Sequence, residues 1–430
     1  MLDCINIFTF LWTLGFSAIA AYRILVGDKS SILFLLPVHF LFCGIPPLLD
    51  SVIGRPAYLS APGFYLASRD DLTCLVYDLY ICAVPVVWYK TGWAGCTGRS
   101  PSLPRATIFP TGSVLLRLLF LGFLVSPLAL LCFAPRPSVY LTYGASGKEL
   151  MNDVETTFHS SISSLCLVSF IGFSGTLLSQ RRTRVRLLVY LAPFATTVAW
   201  LNGKRHIVLL YLGATIYIYF IRGILRGRYL LMTSIFAASA LVLFNTYYQN
   251  VVRPEITKLD TFESKYDNIR IDYGRDSTVK LVIYSEIHPN NVKILDYPYQ
   301  NIVFDLTFFV PRSMWENKPW PYAVCVTWAM LLRQGDADMI GWGVTTSWLD
   351  EALASFSWFG LLIGPGLFSV LCRLGDKSDD MIMRALTVLN ALLLYTVQLS
   401  AFLPLFLFWL AAIFRSYQRH GYGEVKSRFP

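Results

Sequence analysis

The residues best suited to chemistry fall in three short clusters. In LNGKRHIV, Lys204, Arg205 and His206 follow a glycine at a helix start. Adjacent cations there, with free backbone N–H groups and the helix dipole, suit a phosphate or pyrophosphate. In IRIDYGRDSTVK, Arg270, Asp272, Arg275, Asp276 and Lys280 alternate in sign. An arginine in such a set can stabilise developing negative charge while an aspartate orients or deprotonates a hydroxyl. In FFVPRSMWENKPWPY, Arg312, Trp315, Glu316 and Lys318 sit among aromatic rings on a proline-stiffened turn, a mixture that holds sugars by stacking on their C–H faces. Each cluster also has a plainer reading: a snorkelling turn, a salt-bridged surface and a membrane-interface belt. H-E-x-x-H, P-loop, G-x-S-x-G and Rossmann patterns are all missing from the sequence. The nine cysteines are scattered, and His159, His206 and His288 lie far apart, so neither a metal nor a cofactor is expected.

What must position these residues is a membrane. Of 430 residues, 55% are hydrophobic and 15% charged, against roughly 25% charged in soluble domains. Apolar runs of about 20 residues are long enough to cross ~30 Å of hydrocarbon. A soluble enzyme, a disordered chain and a disulfide scaffold are thereby excluded. Spans are expected at 5–25, 31–49, 71–89, 113–134, 156–179, 187–203, 206–221, 229–247, 347–372, 383–398 and 400–415. The first reads as a retained helix, since MLDCINIFTFLW lacks a basic start and a cleavage site. The last two form a hairpin because Pro404 interrupts the run. The expected fold is all-α, a polytopic bundle of about eleven spans. Residues 1–245 hold eight spans, 246–345 a large external loop with short helices, and 346–430 three spans and a basic tail.

Charge sets the orientation. Nineteen Lys and Arg residues between spans fall on one face and six on the other, which makes the tail cytoplasmic and the long loop external. That loop has ten basic and twelve acidic residues, a net of −2, so the chain's +9 mainly records orientation. Lys204 and Arg205 oppose the bias, which favours an anionic ligand there. Within the loop, DSTVKLVIYSEIHP reads as a helix with Asp276 or Ser277 as N-cap and Pro289 as stop. YQNIVFDLTFFVP is a second apolar piece closed by Pro311, and YAVCVTWAMLL is too short to span and should lie in the interface or re-enter. These pieces should fold back as a roof over a cavity. Asp78 is the clearest charge within a span.

GKRHIVLL, the GRD turn, PRSMWENKP and GWGVTTSWLDEALASFSWFGLLIGPG together resemble the oligosaccharide repeat-unit polymerases, the Wzy-type O-antigen and exopolysaccharide polymerases. The resemblance covers roughly residues 200 to 370, and PRSMWENKP is its most specific part. It implies a GT-C-like membrane glycosyltransferase at the periplasmic face of a bacterial inner membrane. Such an enzyme moves a growing glycan from undecaprenyl pyrophosphate onto a lipid-linked repeat unit, beside a flippase and a chain-length regulator. By position, Arg205, Arg275 and Arg312 would handle the lipid pyrophosphates, supported by Lys204, His206, Arg270, Trp315 and Lys318. Asp272, Asp276 and His288 are candidate bases, Asp276 favoured because it adjoins Arg275. The chain lacks an obvious pair of R-x(10)-G motifs found in the best-known O-antigen pattern. An O-antigen ligase and a lipid-linked oligosaccharide flippase are the rival readings.

Overall fold

The computed structural model describes residues 2–93, 114–141, 143, 153–179, 185–203, 205–251, 261–310, 312, 314–333, 343–378 and 380–427. Regular structure among them is helical throughout. α1 is Leu2–Val26, α2 Ile32–His39, α3 Ile45–Val52, α4 Pro62–Arg69, α5 Asp71–Val87, α6 Val114–Leu131, α7 Asp153–Ser179, α8 Val185–Asn202, α9 Arg205–Ile221 and α10 Gly227–Val251. After these come α11 Phe262–Tyr273, α12 Asp276–Ile287, α13 Gln300–Leu306, α14 Tyr322–Met330, α15 Trp348–Phe356, α16 Gly360–Asp376, α17 Met381–Thr396 and α18 Leu403–Ser427.

Among the described residues, six stretches are long and apolar enough to cross a membrane: Leu2–Val26, Ile32–Val52, Asp71–Lys90, Ser161–Ser179, Gly227–Tyr248 and Trp348–Asp376. The other five expected spans fall on α6, α8, α9, α17 and the stretch 399–427, all helical. The side chains show why this bundle belongs in lipid. α1 buries Asn6, Thr9, Thr13, Ser17 and Ala20 while exposing Ile7, Phe8, Leu11, Trp12 and Leu14. A helix in water would do the reverse; in hydrocarbon, small and polar residues make the close helix contacts. α2 and α3 are joined by a π-helical turn, Phe40–Gly44, because Pro46 and Pro47 have no N–H to donate to the preceding carbonyls. That turn sets Phe42 and Cys43 at the centre of the bundle.

The long segment differs most from expectation. α12 starts close to where the sequence placed it, but it is not a roof: every residue from Asp276 to Ser285 is buried. It packs between α4, α5 and α15, its apolar residues filling the core and its buried charges Asp276 and Lys280 paired there. α14 also packs against α4 and α12, with six of its nine residues buried, so the interfacial position expected for YAVCVTWAMLL gives way to a place in the core. Asp267 of α11 accepts from the amides of Ala57 at 2.9 Å and Leu59 at 3.3 Å, pinning the α3–α4 connection to the long segment.

Candidate functional site

The GRD turn separates two arginines with opposite surroundings. Gly274 is required where α11 meets α12, since a Cβ there would lie 2.4 Å from the Arg270 carbonyl and 2.6 Å from Asp276 Oδ1. Arg270 Nη1 donates to Asp50 at 2.6 Å and to the Tyr266 hydroxyl at 2.8 Å, while Nη2 donates to Asp276 at 2.5 Å. Lys280 donates to Asp50 at 2.8 Å and to Asp276 at 3.3 Å. Two cations thus meet two carboxylates, all buried. Burial alone would favour the neutral forms, but the paired carboxylates more than offset it and hold Arg270 and Lys280 firmly protonated. Asp276 acts as a counter-ion through Oδ2, which both cations share, while its Oδ1 has no hydrogen-bond partner among the described residues. Arg270, expected at the pyrophosphate, is likewise committed within the protein.

Arg275 is different. Its Nη2 donates to the Thr396 carbonyl at 3.1 Å, one of the orphan acceptors at the end of α17. Its guanidinium lies 5.4 Å from the Phe42 ring centroid. Nε and Nη1 have no hydrogen-bond partner among the described residues, although Arg275 is only 6% exposed. Burial pulls its proton affinity down, and Asp350 is the strongest opposing charge. Phe42 and Thr396 also line an apolar cavity of about 620 Å³ built from α1, α2, α7, α9, α10 and α17. Its lining follows α17 from Ile382 to Thr396, a length of about 21 Å at helical rise. Arg275 does not itself line the cavity but touches two residues that do, Phe42 and Thr396.

Beyond Arg275 lies the start of α15. Ser347 and Asp350 form a capping box, Asp350 Oδ1 accepting from the Ser347 amide at 2.7 Å. Asp350 Oδ2, Thr346 Oγ1, Trp348 Nε1, Tyr322 Oη and Tyr80 Oη are buried without partners among the described residues. Tyr80 lies within electrostatic reach of Asp350, and Tyr322 comes closer still, reaching the Asp350 side chain itself. Each unpartnered buried group costs about 1–3 kcal/mol, and such groups concentrate at functional sites. The next residue, Glu351, accepts from Asn301 through Oε1 at 3.0 Å, and Asn301 Oδ1 accepts from Ser355 at 2.8 Å. Asp305, on the same face of α13 as Asn301, repels Glu351; burial raises its carboxyl to about 7.

The third cluster is bound up with its own turn. Arg312 donates to the carbonyls of Lys318 at 2.7 Å and Pro319 at 3.0 Å and stacks 3.6 Å from the Trp320 ring centroid. Lys318 donates to the carbonyls of Phe308 at 3.0 Å and Val310 at 2.8 Å. Both cations bind their own turn, an assignment unlike the ligand role expected of them. Trp315 is half-buried there, its amide bonded to the Arg312 carbonyl. His288 pairs with Asp70 at 3.6 Å. In the first cluster Gly203 adopts φ +66°, the left-handed turn that glycine permits. Lys204 and the side chains of Arg205 and His206 lie outside the described residues.

Sequence reading missed Asp50, Tyr80, Asp305, Tyr322, Asp350 and Glu351. A usable signal existed for two of them: S-x-x-D ahead of an apolar run marks a capped helix start, and consecutive acids opening a span are costly enough to imply a role. No family model, curated protein or solved structure matches this chain.

Proposed function

We propose that this protein is a membrane glycosyltransferase that polymerises glycan repeat units carried on undecaprenyl pyrophosphate. The observation that carries the reading is the apolar cavity that runs along α17, with Arg275 bonded to Thr396 and lying against Phe42 in its wall. Its apolar lining suits the first isoprene units of a polyprenyl chain, the rest of which would extend into lipid. The pyrophosphate at its end matches an arginine with two free N–H groups, since guanidinium binds phosphate oxygens through paired donors. When the sugar–phosphate bond breaks, charge collects on the departing oxygens, and a buried arginine stabilises it more than one in water does.

Orientation supports the same reading. Lys29 donates to the Ile221 carbonyl, and Arg226 and Arg384 are its nearest like charges. All three belong to the face that charge counting makes cytoplasmic, and they gather where α17 begins, at the end opposite Arg275. In an eleven-span arrangement Arg275 then faces the periplasmic side, away from nucleotide sugars.

Purified protein supplied with undecaprenyl-pyrophosphate-linked repeat units, isolated from cells that make it, should build a ladder of glycans in the presence of a chelator. Arg275→Ala should abolish the ladder. Wild-type protein that yields no ladder from that substrate refutes the function.

A further inference from the structure

We infer that the start of α15 is a sugar subsite, formed by Tyr80, Tyr322, Thr346, Trp348 and Asp350 beside Arg275, in which Asp350 takes the proton of the acceptor hydroxyl. The inference rests on the reading above and adds the residues that hold and activate the glycan. Four elements bring these groups together: α5, α12, α14 and the α15 start, with α12 and α14 packed on each other and α12 on α15. The Val344 amide donates to Thr327 at 3.0 Å, tying the stretch before α15 to α14.

The chemistry of the set points to a polyhydroxylated ring. The indole N–H donates only, the carboxylate accepts only, and three hydroxyls do either, a combination suited to alternating sugar hydroxyls. All five residues are more than nine-tenths buried, and each has an atom without a partner among the described residues. Asp350 has two separable duties. Its Oδ1 closes the capping box with Ser347, which fixes the carboxylate and leaves Oδ2 without a partner among the described residues, with Arg275 and the two tyrosines within electrostatic reach of the carboxylate. In the step, the acceptor oxygen bonds to the anomeric carbon of the donor as the bond from that carbon to the pyrophosphate oxygen breaks. The electron pair leaves on the pyrophosphate held by Arg275, and the acceptor's proton passes to Asp350 Oδ2.

Two variants separate these duties. Asp350→Asn keeps an oxygen for the Ser347 amide and removes the base; it should lower kcat by about 100-fold or more with KM for the repeat unit nearly unchanged. Ser347→Ala weakens the cap but spares Oδ2, so it should lower melting temperature while retaining most of kcat. Tyr322→Phe and Trp348→Phe should raise KM for the repeat unit and leave binding of geranylgeranyl pyrophosphate, a probe without sugar, unaltered. An Asp350→Asn protein with wild-type kcat, or one whose loss is matched by Ser347→Ala, overturns the inference. So does an unchanged KM in both aromatic variants, which would make these groups merely water-binding. Failure of wild-type protein to bind geranylgeranyl pyrophosphate would instead strike the proposed function itself.

Discussion

Arg270 and Arg275 should answer the same substitution in opposite ways. Arg270→Met leaves Asp50 and Asp276 facing only Lys280, one uncompensated charge in a buried network. Breaking such a set by removing one partner costs about 3–5 kcal/mol. Arg275→Met gives up one hydrogen bond, to the Thr396 carbonyl, and removes a half-paired cation from an apolar wall. These effects oppose each other, so stability should change by no more than about 1 kcal/mol. Ligand binding should divide the other way. The two free N–H groups of Arg275 can each make a charge-assisted bond to phosphate, together about 3–6 kcal/mol, which is roughly a 100- to 10,000-fold change in affinity. Melting curves in detergent and titration with geranylgeranyl pyrophosphate measure both quantities on the same three proteins. Arg270→Met should melt early but bind normally once folded, and Arg275→Met should melt normally but bind poorly. Wild-type affinity in Arg275→Met, or a wild-type melt in Arg270→Met, would refute the division of labour.

Other outcomes follow from the same geometry. Because burial raises the Asp305 carboxyl to about 7, the folded protein holds that proton more tightly than the unfolded chain. Its stabilising contribution is complete below about pH 4 and lost as pH climbs through about 7. Asp305→Asn should flatten the fall in melting temperature across that window, and an unchanged slope counts against the assignment. Gly274→Ala forces a Cβ against the Arg270 carbonyl and should cost about 1–3 kcal/mol, read as a lower melting temperature; a neutral result would mean the turn can relax. Arg312→Ala should make the 308–320 turn more sensitive to protease, with geranylgeranyl pyrophosphate affinity unchanged, since Arg312 binds only its own turn among the described contacts. A loss of affinity would return Arg312 to the ligand site.

The sequence by itself determined that this chain is built of long apolar helices suited to a membrane and where most of them lie, though not α4 or α11. Hydrocarbon demands long apolar runs with every backbone group satisfied, and that demand is written locally; α12 too was legible as a helix ending before Pro289, although Arg275 and not Asp276 or Ser277 is its N-cap. Which arginine is structural and which is free was not local. Arg270 is neutralised by Asp50, 220 residues away, and Arg275 meets a carbonyl 121 residues away. Likewise, nothing in DSTVKLVIYSE says whether an apolar helix covers the bundle or enters it. Tertiary packing decided both. It drew α12 into the core, where a charge must be paired or cost several kcal/mol, and so left Arg275 and Asp350 as groups with bonds still to make.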